Sequence, residues 1–487
     1  MDKKLYVSYE EFGAVGDGVT DDMPAIVACH RYANENRLPV KVRDGAEYYI
    51  GRRDLFAEIK TDVDFGSAKF TIDDRELENY DRDVFYLVSE SGAYAPSISY
   101  FSAKDKRIDF QHEGLVYLRI ESDERKVFIR KGLNENAGTN LHDCFVADAD
   151  GNILTDIDWD YERISFAEAR SADDPPITVK GGVFTTIANR WESKYVYHRR
   201  GICIERSNAT VEGVTHYVTG ELDHGAPYRS FIMVRYCNNA TVKDCLLTPH
   251  FTYHTESESH LGKAVSMGSY DLSFESAIGT RVINVQQSID IMDTRYWGLM
   301  GSNFCKDMYF ENCVISRFDA HQGVTNATIR GCTFGHMSLR LIGKGRFYIE
   351  NSRVYGPYLI SFRADYGGLW DGTATVKDCE WVPRKSSGCI IHASNDGDHY
   401  FGYVATQPKR IVLDGVRILD KNEYAEGNDK KYYVLSTYDR SYKPGKPYAY
   451  VPVKNLIYKN ITSERGLEIA LTKEPEQYPN LEVIYEK

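Results

Sequence analysis

The apolar positions of this chain recur in a short phrase of four residues: apolar, variable, then Asn, Asp or Gly, then small. It reads Val179-Lys180-Gly181-Gly182, Val211-Glu212-Gly213-Val214, Val242-Lys243-Asp244-Cys245 and Val282-Ile283-Asn284-Val285. It returns at residues 310–313, 329–332, 349–352, 376–379, 412–415 and 458–461. From Val282 to Val376 the phrases stand 28, 19, 20 and 27 residues apart, one winding with short turns. Elsewhere gaps of 31 to 46 residues leave room for loops. The pattern predicts short strands, each bending at its Asn, Asp or Gly into the next. A winding of this kind cannot bury its inner face alone, so windings stack. Side chains at equal offsets then fall into rows, with about 4.8 Å between strands.

Two regions depart from the phrase. Near the start, Ile26, Val27, His30 and Ala33 make one face of a helix ending near Asn36. Asp21 or Asp22 stands where a cap belongs, and Pro24 falls in the first turn, where a missing N–H is tolerated. A strand follows at 39–42, a turn at Asp44-Gly45 and a strand at 48–51. Residues 115–120, 126–129 and 144–147 alternate like half-exposed antiparallel strands. Asp148-Ala149-Asp150-Gly151-Asn152 between two such strands reads as a hairpin turn; it lacks the downstream Glu of a calcium loop. The expected organisation is a cap with first coils at 1–104, a β insertion at 105–173, and a main coil at 174–487 whose loops from about 411 close the open end.

The stretch Phe12-Gly13-Ala14-Val15-Gly16-Asp17-Gly18-Val19-Thr20-Asp21-Asp22 resembles the N-terminal signature of the pectate-lyase-like superfamily, a Gly-Asp-Gly-x-x-Asp-Asp element ahead of a capping helix. The resemblance implies an all-β fold, a right-handed single-stranded parallel β-helix. It also implies a saccharide partner, since that superfamily holds polysaccharide lyases, polygalacturonase-like hydrolases, fructan-processing enzymes and phage tailspikes. The acids Asp17, Asp21 and Asp22 read as cap and turn residues. The Asn-Thr-Asp, Asp-Asp, Gly-His-Gly and Arg-Ile-Lys elements of the polygalacturonase-like members are not intact in 177–464; only an isolated Gly335-His336 stands there.

Composition narrows the classes. The chain has 487 residues, 42 % of them hydrophobic, which suits an elongated repeat fold. No window approaches eighteen unbroken apolar residues, so no membrane-spanning helix is expected. Net charge is −12, which argues against nucleic acid and anionic membrane as partners. From Arg281 to Arg363, however, ten Lys or Arg face six Asp or Glu, an excess of four positive charges compatible with an acidic ligand. Cys245, Cys313, Cys332 and Cys379 share one place in the phrase, an inward one, and no CxxC or CxxH spacing suggests a metal. The first residues show no leader, so the expected location is cytoplasmic, or secreted or periplasmic if a leader has been removed. Tailspike-like relatives form trimers, so a homo-oligomer is compatible with the resemblance.

The candidate chemistry lies in the basic stretch. Asp293 lies eleven residues past Val282, and Asp319 nine past Phe310; each precedes a base by two, as Asp-Thr-Arg295 and Asp-Ala-His321. If the turns differ by two residues, the acids stack roughly 5 Å apart, the separation of a retaining glycoside hydrolase. One acid would then hold its proton while the other stays ionised. Asp290 is a spare carboxylate, and His321 would relay a proton. Arg295, Arg317, Arg340 and the Arg363-Ala364-Asp365 return would orient substrate, with Trp297 as a stacking face. In the alternative, a lyase acting on a uronate glycan, Asp293 and Asp319 would bind calcium and Arg340 or Lys344 would abstract the proton. No cofactor is expected otherwise. A second group, His250-x-x-x-His254-x-Glu256-x-Glu258-x-His260, reads as a cleft wall giving a His to substrate, with His224 in reach. A third reading is a non-catalytic, tailspike-like glycan binder.

Overall fold

The computed structural model describes residues 4–109, 112–129, 137–194, 196–255, 266–366, 368, 370–393, 404–426, 431–436 and 450–485. They divide into two compact units. Unit 1 is residues 1–120 and 143–299, and unit 2 is residues 121–142 and 300–487. No helix among the described residues is long and apolar enough to cross a membrane.

In unit 1 the capping helix spans Met23–Asn36, with Pro24 in its first turn. The Asp22 side chain does not cap it. That carboxylate instead accepts Val15 N–H at 2.7 Å and Gly16 N–H at 3.2 Å, tying the glycine loop to the helix start. Asp21 Oδ1 accepts Met23 N–H at 3.2 Å, and Asp17 accepts Val19 and Thr20 N–H. The three acids are turn and cap residues, as their positions predict. The helix buries Met23, Ile26, Cys29, His30 and Ala33. His30 bonds the Tyr9 hydroxyl at 2.8 Å, and burial lowers its pKa to about 3, so it stays neutral.

Both units are built from strands paired in parallel, phrase on phrase. In unit 1, Val63 pairs with Val179, Val179 with Val211, and Val211 with Val242, all inward. In unit 2, Phe310 pairs with Ile329, Ile329 with Ile349, and Ile349 with Val376. The third residue of each phrase turns the chain. Asp244, Asn284, Asn312, Asn351, Asp378 and Asn460 all have φ between 48° and 55°. Gly213, Gly331 and Gly415 occupy the same left-handed place. Only glycine, and Asn or Asp with a short polar side chain, visits that region without a steric penalty. The cysteine that follows points inward; all ten cysteines are free and buried.

One phrase is offset from its expected place. Val376 pairs with Leu413 and Lys377 with Asp414, so the phrase is Leu413-Asp414-Gly415-Val416, not Val412 to Gly415. A one-residue slip exchanges the two faces of a strand, and Leu413 is fully buried while Val412 is half-buried.

The second phrase position faces outward and carries a row of charges. In unit 1 the paired residues run Lys41, Asp64, Lys180, Glu212, Lys243. In unit 2 they run Glu311, Arg330, Glu350, Lys377, Asp414, Lys459. Sign alternates at every step. Opposite charges on neighbouring strands attract and like charges repel, each by a few tenths to about 1 kcal/mol.

Within 105–173, Val116–Val127, Thr139–Ala147 and Phe166–Ser171 form a separate three-stranded sheet. In unit 1 its Tyr117 packs with Cys144, Val146, Ala172 and Ile278 and donates a hydrogen bond to Ser276 O at 2.5 Å. In unit 2, Phe128 and His142 both pack on Phe304. Asp148 makes the expected turn, accepting Asp150 N–H and Asn152 N–H.

Candidate functional site

Two polar clusters stand out, one in each unit. In unit 2, strand pairing places Asp319, Arg340, Ser361 and His392 in one row. Phe318 and Leu339 beside them are fully buried, so the row lies on the outer side. Asp319 is nevertheless 0 % exposed. Its Oδ2 accepts Arg317 Nη2–H at 2.5 Å and its Oδ1 accepts Arg363 Nη1–H at 2.8 Å. Burial alone would raise the Asp319 pKa, but Arg317 and Arg363 hold it well below the usual carboxylate range. Arg363 also clamps Asp365 through two bonds of 2.7 and 2.6 Å. His321 bonds Asn303 through Nδ1 and the Tyr366 hydroxyl through Nε2. Burial lowers its pKa to about 4, leaving it neutral at physiological pH.

Three guanidinium groups here face two carboxylates. Arg317 and Arg363 are paired, and the excess charge is that of Arg340, which is exposed and makes no ion pair among the described residues. Neighbouring groups strip part of its hydration, and Arg317 and Arg363 repel it, lowering its pKa to about 10; it remains a cation. Next in its row, Ser361 Oγ bonds His392 Nδ1 at 3.2 Å, and the His392 ring stacks on Tyr358 at 4.3 Å. Among the described residues the arrangement is a fixed ion-pair base under one free cation, a hydroxyl, an imidazole and an aromatic ring. That set can hold an anionic group and its neighbouring hydroxyls.

The expected Asp293 and Asp319 stack is not formed. Ser302 pairs with Ala320, so the slot one winding before Asp319 belongs to Gly301. Asp293 lies in a turn, 22 % exposed, and clamps its own neighbour Arg295, which is 70 % exposed, at 2.6 Å. It is an ordinary surface ion pair. Asp290 is exposed and accepts Met292 N–H in the same turn. Asp319 cannot serve as a water-facing acid or nucleophile, and the guanidinium groups on both its oxygens would repel calcium. Trp297 lies against Gly268, and Lys344 pairs with Thr325 and Asp371, outside the Arg340 row.

The second cluster, in unit 1, was not legible in the sequence beyond His250. Phe70, Phe184 and His216 are in register, and the two phenylalanines are core rings, so His216 points inward. Its Nδ1 donates to Asp271 Oδ2 at 2.9 Å, and its Nε2 is hydrogen-bonded to Thr186 Oγ1 at 2.9 Å. Nearby, Arg200 Nε donates to Asp74 Oδ1 at 3.2 Å and Nη2 to Gly51 O at 2.8 Å. Burial pushes the Asp74 carboxyl up to about 6, partly offset by Arg200 and the Tyr228 hydroxyl. His250 stacks on Tyr228 at 4.1 Å, and its Nδ1 meets Glu221 Oε1 at 2.9 Å. Burial works against charge on both, but their attraction prevails: His250 is raised and Glu221 lowered. The space among these groups is only about 10 Å³, the size of a single water site. No saccharide fits there. The expectation that His250 reaches substrate is therefore corrected: it is buried and structural. His254 and His224 are exposed, with His254 bonded to Ser266, and neither adjoins this cluster's void. Glu256, Glu258 and His260 lie outside the described residues.

No protein-family model matches the sequence, and no curated protein matches it either. Solved structures do. The tailspike gp61 of Pseudomonas phage phi297 aligns with TM-score 0.55 and 11% identity, over 94% of this chain and 80% of that one. The fold is the right-handed parallel β-helix. The Gp54 tailspike of Acinetobacter baumannii bacteriophage AP22, solved with capsular saccharide, aligns with TM-score 0.50 and 10% identity, over 98% of this chain and 79% of that one. At such identity the likeness concerns the fold, and the chemistry must be argued from the residues.

Proposed function

We propose that this β-helix engages an acidic saccharide at the outer row of Arg340, Ser361 and His392. The observation that carries the reading is Arg340: exposed, without an ion pair among the described residues, and rising from a base in which Arg317 and Arg363 are matched by Asp319 and Asp365. A uronate or similar carboxylate would pair with its guanidinium, and the Ser361 hydroxyl, the His392 imidazole and the Tyr358 ring would take the sugar's hydroxyls and apolar face. The local excess of positive charge on an acidic chain fits an anionic ligand. The capsular-saccharide complex of the AP22 tailspike is consistent with a saccharide partner for this fold. The test is a glycan array probed with wild type and Arg340→Gln. The variant should lose acidic-glycan binding by about tenfold or more while its melting temperature holds, since one charge-assisted pair contributes about 1.5–3 kcal/mol. Equal binding by the two proteins would refute the assignment.

Cleavage of the bound glycan is the second reading, favoured by Asp365. Its carboxylate is 30 % exposed and belongs to the same cluster as His321 and Arg340. Incubation of bound glycans with mass and ultraviolet readout separates the outcomes. A hydrolase yields reducing ends only, a lyase yields an unsaturated product, and a binder yields neither. Asp365→Asn should abolish product if this carboxylate acts.

A further inference from the structure

The turn row of unit 2 is broken in two places. Its left-handed positions run Asn312, Gly331, Asn351, Asp378, Gly415, Asn460 on successive windings. At such a row neighbouring polar side chains can bond along it, as Asn284 Nδ2 donates to Asp244 Oδ1 at 2.8 Å in unit 1. Glycine at 331 and 415 flanks the pair Asn351 and Asp378, and these two do not bond each other. Asn351 and Asp378 are left exposed with no side-chain hydrogen bond among the described residues. A groove of about 630 Å³ opens along the same row, from Gly331 to Asn460. That volume falls within the range of ligand sites, about 300–1,000 Å³.

One wall is the neighbouring row Thr333, Arg353, Glu380, Arg417, Thr462. Glu380 sits between the two arginines, bonded to Arg353 Nε at 2.6 Å and to Arg417. With Asp378, the groove's two cations meet two anions, so it presents no net charge to attract an ion. What remains unused is a mixture: an amide, a carboxylate, two threonine hydroxyls and the outer edges of two guanidinium groups. A hydroxyl both donates and accepts, and so matches such a mixture better than any charged group does. The five turn positions from Gly331 to Asn460 repeat roughly every 4.8 Å, which suits an extended ligand laid along the windings.

We propose that this groove binds a neutral, linear saccharide, independently of the acidic-saccharide row. It shares no residue with the Arg340 cluster. The experiment is titration calorimetry with cellohexaose, laminarihexaose, maltohexaose and xylohexaose. The proteins are wild type, Asn351→Ala/Arg417→Ala, Gly331→Asn/Gly415→Asn and Arg340→Gln, each checked by thermal melting. The first double variant removes groove contacts at exposed positions. The second refills the broken row with a residue that tolerates the left-handed turn. At least one hexaose should bind wild type, both double variants should weaken it tenfold or more, and Arg340→Gln should bind it unchanged. Absence of binding by all four sugars, or equal binding by the Asn351→Ala/Arg417→Ala variant, would overturn the proposal. Loss of neutral-sugar binding in Arg340→Gln would move the sugar to the other row and overturn it as well.

Discussion

Asp74 in unit 1 and Asp319 in unit 2 are both sealed from water, yet their carboxyl groups are pushed in opposite directions. Burial acts alike on both, penalising the charged form. The difference is in the cations. Asp74 has one guanidinium, that of Arg200 at 3.2 Å, which also serves Gly51 O. Asp319 has Arg317 at 2.5 Å and Arg363 at 2.8 Å, one on each oxygen. One distant partner leaves the carboxyl near pH 6; two close ones hold it ionised. A buried acid therefore says little about function until its cations are counted.

The contrast has consequences for stability. An unfolded aspartate titrates near 3.9. Asp74, raised in the folded state, stabilises fully below that pH, and the gain is lost as pH rises through about 6. Asp319, lowered, stabilises above about pH 4, and the gain is lost as pH falls toward its depressed pKa.

The largest expected effect is at Asp319. Asp319→Ala leaves Arg317 and Arg363 without their shared anion and should destabilise by about 3–5 kcal/mol, read by urea unfolding at pH 7. A loss below 1 kcal/mol would mean the pair is not a structural keystone. Next comes Asp74→Asn. Wild type should lose roughly 2–3 kcal/mol between pH 4.5 and 8 from this group, on the scale of 1.36 kcal/mol per pKa unit. The variant should lack that slope, whatever its stability at one pH. An unchanged slope would place the titration elsewhere, for instance on His250 and Glu221. The smallest effect sharpens the comparison directly. Arg363→Gln leaves Asp319 with one cation, as Asp74 has, and should cost about 1.5–3 kcal/mol at pH 7. Its acid unfolding should begin at a higher pH than that of wild type; the same acid midpoint would show that Arg317 alone sets the Asp319 carboxyl.

Much of the fold could be read in the chain because its periodicity is local. Each Asn, Asp or Gly of the phrase marks a backbone turn that few other residues can make, and the inward cysteines follow from the same offset. Periodicity alone puts the Leu413 phrase one residue early, because Val412 and Leu413 are equally apolar and only pairing with Val376 tells them apart. The alternating charges stand in the sequence at the second phrase position, in Lys180, Glu212 and Lys243, and strand pairing is what makes them a row. The site was harder. Offsets from the phrase do not survive a bulge: Asp319 lies nine past Phe310 and Arg340 eleven past Ile329, yet a register shift after Ile315 pairs them, and offsets do not say whether an outer position is covered. Asp319 is covered, and Asp293 sits in a turn that obeys no offset. Asp74, Arg200, His216 and Asp271 meet at a corner from four distant segments, and no spacing in the sequence announces that meeting.

The charge rows also limit how such a chain can change length. From Glu311 to Lys459 each winding carries the sign opposite to its neighbours. Duplicating or deleting one winding would set two like charges side by side, whereas adding or removing two would keep the order. Unit 2 should thus lengthen or shorten by even numbers of windings, with odd changes surviving only alongside a compensating charge reversal.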